Sequence, residues 1–543
     1  MRDLPKKLAV VLLVAGPLPG AQGPYPPFYP DDPLLEEPPP LRLEEPAYRK
    51  LNDYYDVLAH TLREPGERQP ASGDPIRALS THTLDEVPDG AWFTNRIGSR
   101  PMTPEELRRG PRQSNAPDPD GVWTIVGAKT QGVTPGFQIV DARGERYLLK
   151  FDPIEHPEMA TAADVIGSLI FHALGYHVPE NYIVTFERDK LVIGEGATTE
   201  DALGQEQPIS ETDVNTALTR VGRTPDGRIR AVASYFLPGT PLGEFRYFGT
   251  RSDDFNDTVP HEHRRELRGL FVFAAWVNHN DSRSINTFDT LIEEGGLRYV
   301  RHYLIDFGAT LGSASVLSNT ARDGNAYFFE TGQALAQILT LGVYVPWWAR
   351  ADYFESRAAG MLMVDPFEPE NWKPNYPNPA FLNRLPDDTF WAAKKVMAFS
   401  DAGIRAIVEE GQYSSPEDTR VVADYLIQRR DRIGETYFER VLPLDGFRIA
   451  GDTLLFDDLA VVHGFRPAGQ YRVEWSEFDN QAGTHTPIPD SGTFRLPAAL
   501  ADAAGGDYLA ATIRDEAMPG RSVVVFVRKE GSQAAVVGLR RDW

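Results

Sequence analysis

The 543-residue chain contains no cysteine. That excludes disulfides, thiolate catalysis, zinc–thiolate sites and a lipid-modified N-terminal cysteine, so stability has to come from the core. Beyond its first two dozen residues it also lacks any apolar run near the roughly 20 residues needed to cross a bilayer. Nor is there a dense Lys/Arg cluster: 78 acidic residues face 55 basic ones, for a formal net charge of -23. Phosphate backbones and anionic lipid repel such a surface, so nucleic acid is not an expected partner. There is no internal repeat.

What is present begins with a short basic start (Arg2, Lys6, Lys7), an apolar stretch from Leu8 to Gly16, and small residues at Gly20, Ala21 and Gly23. This order reads as an export signal over residues 1–23. The expectation is a mature chain without a transmembrane segment, in the periplasm or outside the cell. With 41% hydrophobic and 24% charged residues, the remainder has the composition of a globular protein. Its length allows two to four domains at about 150 residues each.

Residues 24–122 open with proline crowding (PYPPFYPDDPLLEEPPPLRLEEP, Pro24 to Pro46), which favours an extended arm. A helix is expected over Ala47 to Leu62, then an irregular stretch in which Trp92 and Phe93 read as docking anchors. From Trp123 the pattern turns to strands: WTIVGAK, GFQIVD and RYLLKFD, separated by glycine-bearing turns. A helix follows (Glu158 to Leu174), then strands at Tyr182 to Phe186, Leu191 to Ile193 and Ile229 to Phe236. A strand-rich part (123–245) thus precedes a helix-rich part (246–443), with helices expected over Glu262 to His279 and much of Thr331 to Tyr437. The alternating, turn-separated runs of residues 444–543 suggest a small antiparallel β-sandwich forming a separate module.

The chemistry-bearing residues lie where a helix ends. NHNDSRSIN (Asn278 to Asn286) leads into a predicted hairpin, TFDTLI and LRYVRHYLI around Gly295-Gly296, followed at once by Asp306-Phe307-Gly308. Phosphoryl transfer needs this grouping. One carboxylate orients the acceptor hydroxyl and takes its proton, while a carboxamide and a second carboxylate hold Mg²⁺ or Mn²⁺ on the phosphates of ATP. Asp281 is the candidate base, and Asn286 and Asp306 are the candidate metal ligands. Lys150 closes the strand RYLLK and is placed to meet nucleotide phosphates. Upstream, Gly132 and Gly136 lie in a turn whose backbone amides could cover those phosphates. Asp164 and Glu158, in the following helix, compete as the acidic partner of Lys150.

Here the chain resembles the kinase-like superfamily that includes the HipA toxins, the phosphatidylinositol kinases and the secretory-pathway protein kinases. The resemblance rests on GVTPGFQIVDARGERYLLKF, ADVIGSLIFHALGYHVPE, NHNDSRSIN and YLIDFG, with Leu174, Gly175, Val178 and Pro179 especially HipA-like. It implies an α+β, two-lobed protein-kinase-like fold and puts Asp164 where that family usually has Glu. The Arg of the common H-R-D loop is replaced by Asn280 and no Ala-Pro-Glu follows, which removes any basis for assuming a protein acceptor. Protein, glycan and small molecule remain open as acceptors. AMP transfer would use the same fold, and so would a catalytically inactive kinase-fold protein that only binds a ligand or partner, with the terminal β module as its working part. Of the remaining motifs, Ala233 to Phe245 takes the position of a hinge bend, Trp347-Trp348 and Trp372 to Tyr376 read as packing, and His261 and His263 read as surface residues.

Overall fold

The computed structural model describes residues 27–129, 136–200, 205–330, 338–340, 343–497, 507–530 and 533–543. The expected export signal and Gly132 lie outside them. Helices and several separate sheets are mixed along the chain. No helix among the described residues is long and apolar enough to cross a membrane.

The N-terminal extension runs mostly without regular structure. Its helix α1 spans Asp53–Arg63 and is followed by strand β1 (Arg96–Arg100) and helix α2 (Pro104–Arg109). The sequence placed the start of α1 at Ala47. The helix begins later because Asn52 caps it, accepting from the Tyr55 amide at 3.1 Å, while residues before the cap are held extended. The amides of Ala47, Arg49 and Leu51 donate to Asp253, Leu242 and Glu244.

A seven-stranded sheet follows. Its strands are β2 (Trp123–Ala128), β3 (Gly136–Val140), β4 (Arg146–Phe151), β5 (Asn181–Phe186), β6 (Leu191–Glu200), β7 (Glu206–Pro208) and β8 (Ile229–Tyr235), in the order β5-β8-β4-β3-β2-β6-β7. Period-two alternation fixes its faces. Tyr147, Leu149 and Phe151 of β4 turn into a core with Trp123, Ile125, Ile139 and Ala231. Lys150 therefore points to the opposite face, where helix α3 (Met159–Leu174) packs. A short helix, α4 (Glu211–Leu218), covers the other side through Val214 and Leu218.

Helix α5 (Arg265–Val277) is buried along its whole length, as its run of Leu267 to Val277 requires. Strand β9 (Thr240–Gly243) joins the hairpin of β10 (Thr287–Glu294) and β11 (Leu297–Leu304). The segment expected to be a bend thus contributes a paired strand. A second hairpin, β12 (Tyr353–Ser356) with β13 (Gly360–Met363), stands where helix was expected. Gly360, at φ 71°, and its backbone contact with Gly312 turn the chain there. Helices α6 (Pro379–Leu382), α7 (Pro386–Met397), α8 (Asp401–Glu409) and α9 (Pro416–Phe438) complete this half. α3, α5, α7 and α9 share one core with Trp276, Phe307 and Trp391.

The polar start of α5 differs from its sequence reading. His261 and His263 are buried, and each has a carboxylate partner, Asp257 and Glu67. Arg265 pairs with Asp85, Asp387 and Asp388, and Arg268 with Asp388. A charged run reads as surface, but here Asp257 nearby and Glu67, Asp85, Asp387 and Asp388 far off in sequence supply the counter-charges.

The last hundred residues hold the hairpin of β14 (Leu444–Ala450) and β15 (Thr453–Asp458), a short helix α10 (Leu459–Val462), and a five-stranded antiparallel sheet. That sheet comprises β16 (Tyr471–Asp479), β17 (Thr484–Pro487), β18 (Tyr508–Asp515), β19 (Ser522–Glu530) and β20 (Gln533–Asp542). One face buries Val473, Trp475, Ile513 and Val525 against Leu444 and Leu454 of the hairpin. The other face receives Phe28 from the proline-rich arm. Its ring lies 4.9 Å from that of Phe526 and stacks on Tyr508 at 5.7 Å. Burying one such ring contributes about 1.5–3 kcal/mol.

His60 of α1 carries a pH prediction. It is 1% exposed, its Nδ1 lies 3.1 Å from the Pro377 carbonyl, and its Nε2 has no partner. Burial lowers its pKa to about 4, so the unfolded chain takes up a proton in the range where the folded chain does not. Stability from this residue is therefore present at pH 7 and lost as pH falls from about 6.5 towards 4. In urea unfolding, the stability advantage of the wild type over His60→Asn should shrink by roughly 2 kcal/mol between pH 7 and pH 5.

Candidate functional site

The second strand of the β10–β11 hairpin delivers Asp306 directly into the face of the seven-stranded sheet that carries Lys150. Lys150 Nζ lies 3.2 Å from Asp306 Oδ1 and also contacts the Asp164 carboxylate. Of the two acidic candidates in the helix, Asp164 meets the lysine. Glu158 precedes α3 in a left-handed conformation and accepts from the Ser414 amide. The shorter Asp reaches because it is fixed on every side. Its carboxylate also accepts from the Phe307 amide and from Asn181 Nδ2, both at 3.1 Å.

Phe307 is buried beneath α3, stacked on Phe171 at 5.0 Å and 19°. Gly167 makes room for it: a Cβ there would lie 2.5 Å from Phe307 Cβ. This mid-helix glycine carries a helix-propensity cost of about 1 kcal/mol relative to alanine, and the contact explains it. Gly167→Ala should therefore destabilise the chain by about 1–3 kcal/mol through overpacking rather than stabilise the helix. The shift in urea midpoint gives the sign.

Charge is balanced around these groups. Burial alone would raise the Asp306 carboxyl, but Lys150 and Lys129 outweigh it and hold the pKa at about 2. Burial would lower the Lys150 ammonium, but Asp164 and Asp306 outweigh it and raise its pKa. Both are thus ionised at neutral pH. Burial raises the Asp164 carboxyl against the pull of Lys150. Lys129, at the end of β2, is a second cation beside Asp306 that the sequence reading passed over. Its amide bonds to the Gly136 carbonyl at 2.9 Å. Gly136 is needed for close approach, since a Cβ there would lie 2.5 Å from the Leu149 carbonyl oxygen and 3.1 Å from Lys129 Cβ. Lys150, Asp164, Asp306 and Gly308 line one pocket with Ala160, Val232 and Ser315.

Asp281 stands in the loop after α5, whose end is fixed by Asn278 at φ 53°. Asn286 Nδ2 donates to its Oδ2 at 2.9 Å, Asn375 Nδ2 donates to Oδ1 at 3.0 Å, and Arg283 Nε contacts Oδ1. The Ile305 amide donates to the Asn286 carbonyl at 3.0 Å, tying this loop to the residue before Asp306. Arg283 and Asn375 were not assigned from sequence. Arg283 sits inside the quoted motif and could have been suspected. Asn375 lies in a stretch read as aromatic packing.

An ionised carboxylate suits a hard divalent cation, and the Asp306 side chain is 38% exposed. Asn286 and Asp281 are not among the residues that line the pocket of Lys150, Asp164 and Asp306. Among the described residues no group of three or more His, Cys, Asp or Glu could hold a metal. Comparison of the chain with family models, curated proteins and solved structures found no match.

Proposed function

We propose that this chain is an atypical kinase of protein-kinase-like fold, transferring the γ-phosphate of ATP to a hydroxyl acceptor with Mg²⁺ or Mn²⁺. The observation that carries the reading is the contact of Lys150 with both Asp164 and Asp306. A strand lysine held between a helix acid and the Asp of an Asp-Phe-Gly turn is the arrangement that grips nucleotide phosphates opposite a metal. Asp281 is the group that orients the acceptor hydroxyl and accepts its proton, while Asn286 and Asp306 supply oxygen ligands. A bound divalent ion would neutralise charge on the phosphates. The acceptor is a protein, glycan or small molecule outside the cytoplasm.

Purified chain incubated with ATP and Mg²⁺ or Mn²⁺ should bind nucleotide and transfer label from γ-labelled ATP. Asp306→Ala should lose metal-dependent nucleotide binding by isothermal titration. Transfer from α-labelled ATP alone would replace the reading with AMP transfer. Absence of nucleotide binding would remove the enzymatic reading altogether.

A further inference from the structure

Helix α1 lies far upstream of the transfer loop in sequence, yet it touches that loop. Its Asp53, Asp56 and His60 occupy one face at spacings of three and four residues, and this face turns towards residues 283 and 376–377. Tyr54, Tyr55, Leu58 and Leu62 are exposed. A helix docked for packing buries its apolar side; this one buries its polar side. Asp53 Oδ2 accepts from Arg283 Nη1 at 2.6 Å. His60 reaches the Pro377 carbonyl and meets the Tyr376 ring edge-on at 5.1 Å. The segment so held also carries Asn375, which bonds Asp281, and its amide donates to the Asn280 carbonyl at 2.8 Å.

Arg283 is thus shared between two carboxylates, Asp53 of the extension and Asp281 of the loop. The sharing leaves the guanidinium one position, so Asp281 is presented in one orientation.

We propose that Asp53 is a positioning residue of the transfer site, and that α1 completes the catalytic loop by sharing Arg283 with Asp281. The proposal rests on the phosphotransferase reading of Asp281. The full chain, Asp53→Asn and Asp53→Glu are compared in two measurements. The first is ADP formation from Mg·ATP with water as the phosphate acceptor, kcat and KM being measured separately, which requires no knowledge of the natural acceptor. The second is hydrogen–deuterium exchange over residues 278–288. Asp53→Asn should lower kcat about tenfold with the KM for ATP unchanged. Exchange in 278–288 should accelerate. Asp53→Glu should recover part of each change. Unaltered exchange in Asp53→Asn, or an unaltered kcat, overturns the proposal. If the wild type forms no ADP, the phosphotransferase reading fails. Exchange then still decides whether α1 holds the loop.

Discussion

Asp281→Ala is expected to lower γ-phosphate transfer by about 10²–10⁴-fold while leaving nucleotide affinity nearly unchanged. The asymmetry follows from where the carboxylate stands. Its contacts are with Asn286, Asn375 and Arg283, whereas the group that pairs with Lys150 is Asp306. Removing Asp281 takes away the proposed proton acceptor but no contact in the Lys150–Asp164–Asp306 cluster. Asp306→Ala should show the converse pattern, with binding lost first. Single-turnover transfer and equilibrium nucleotide binding, measured on the same preparations, separate the two. Wild-type transfer in Asp281→Ala would remove this residue from the chemistry. Undiminished metal-dependent binding in Asp306→Ala would do the same for the proposed ligand.

The largest expected effect on stability comes from Arg265→Met, at about 3–5 kcal/mol. Arg265 is almost wholly enclosed and holds three carboxylates, donating to Asp388 at 3.1 Å, to Asp387 at 3.0 Å, and to Asp85. A methionine of similar length fills much of the volume but leaves those acids buried with fewer partners. Arg77, Arg268 and Arg541 remain near them, which moderates the loss without abolishing it. Burial already raises the Asp387 carboxyl to about 6, against the pull of Arg265. Without the arginine Asp387 binds a proton still more readily in the folded state, so folding becomes less favourable as pH rises. The deficit of Arg265→Met relative to wild type should therefore be larger at pH 8 than at pH 5. Urea unfolding at the two values checks both magnitude and sign. A loss below about 1 kcal/mol would mean that the neighbouring arginines suffice.

Much of the site can be read from the chain because its parts are local. The apolar run of α5 ends at Asn278, and the polar loop, hairpin and Asp-Phe-Gly follow without interruption. Period and spacing alone therefore put Asp281, Asn286 and Asp306 in order. Lys150 is legible as the polar member of an alternating strand. Asp53, Asn375 and Lys129 are not, because their meaning lies in contacts that no local period encodes. The same cause hid the burial of His261, His263 and Arg265, whose counter-charges come from Asp257, Glu67, Asp85 and the start of α7. The sheet shows the limit from another side. The runs of β2 and β6 were both visible as strands, but their parallel pairing depends on a connection through α3 and β5 that alternation does not specify. Helix was expected over much of 331–437, and residues 353–363 form a hairpin instead because Gly360 permits a left-handed turn against Gly312.

The seating of Phe28 on the C-terminal sheet bears on how the protein reaches its native state. The Phe28 amide bonds Asn480 at a separation of 452 residues, and Arg528 bonds the Tyr29 carbonyl at a separation of 499. Contacts of such high order form late, because the loop they close must be paid for in chain entropy before the ring is buried. A chain emerging from its N-terminus would hold the start of the arm, Phe28 and Tyr29, unsatisfied until β16, β18 and β19 had appeared, whereas Glu37 and Leu43 find backbone partners earlier, at Asp89 and Arg298. The arm's proline content keeps it extended during that wait. Protection of Phe28 and its neighbours should accordingly be among the last signals to appear in pulse-labelled refolding. A chain interrupted before β18 would present the start of the arm, around Phe28, to proteases while its helical half was already closed.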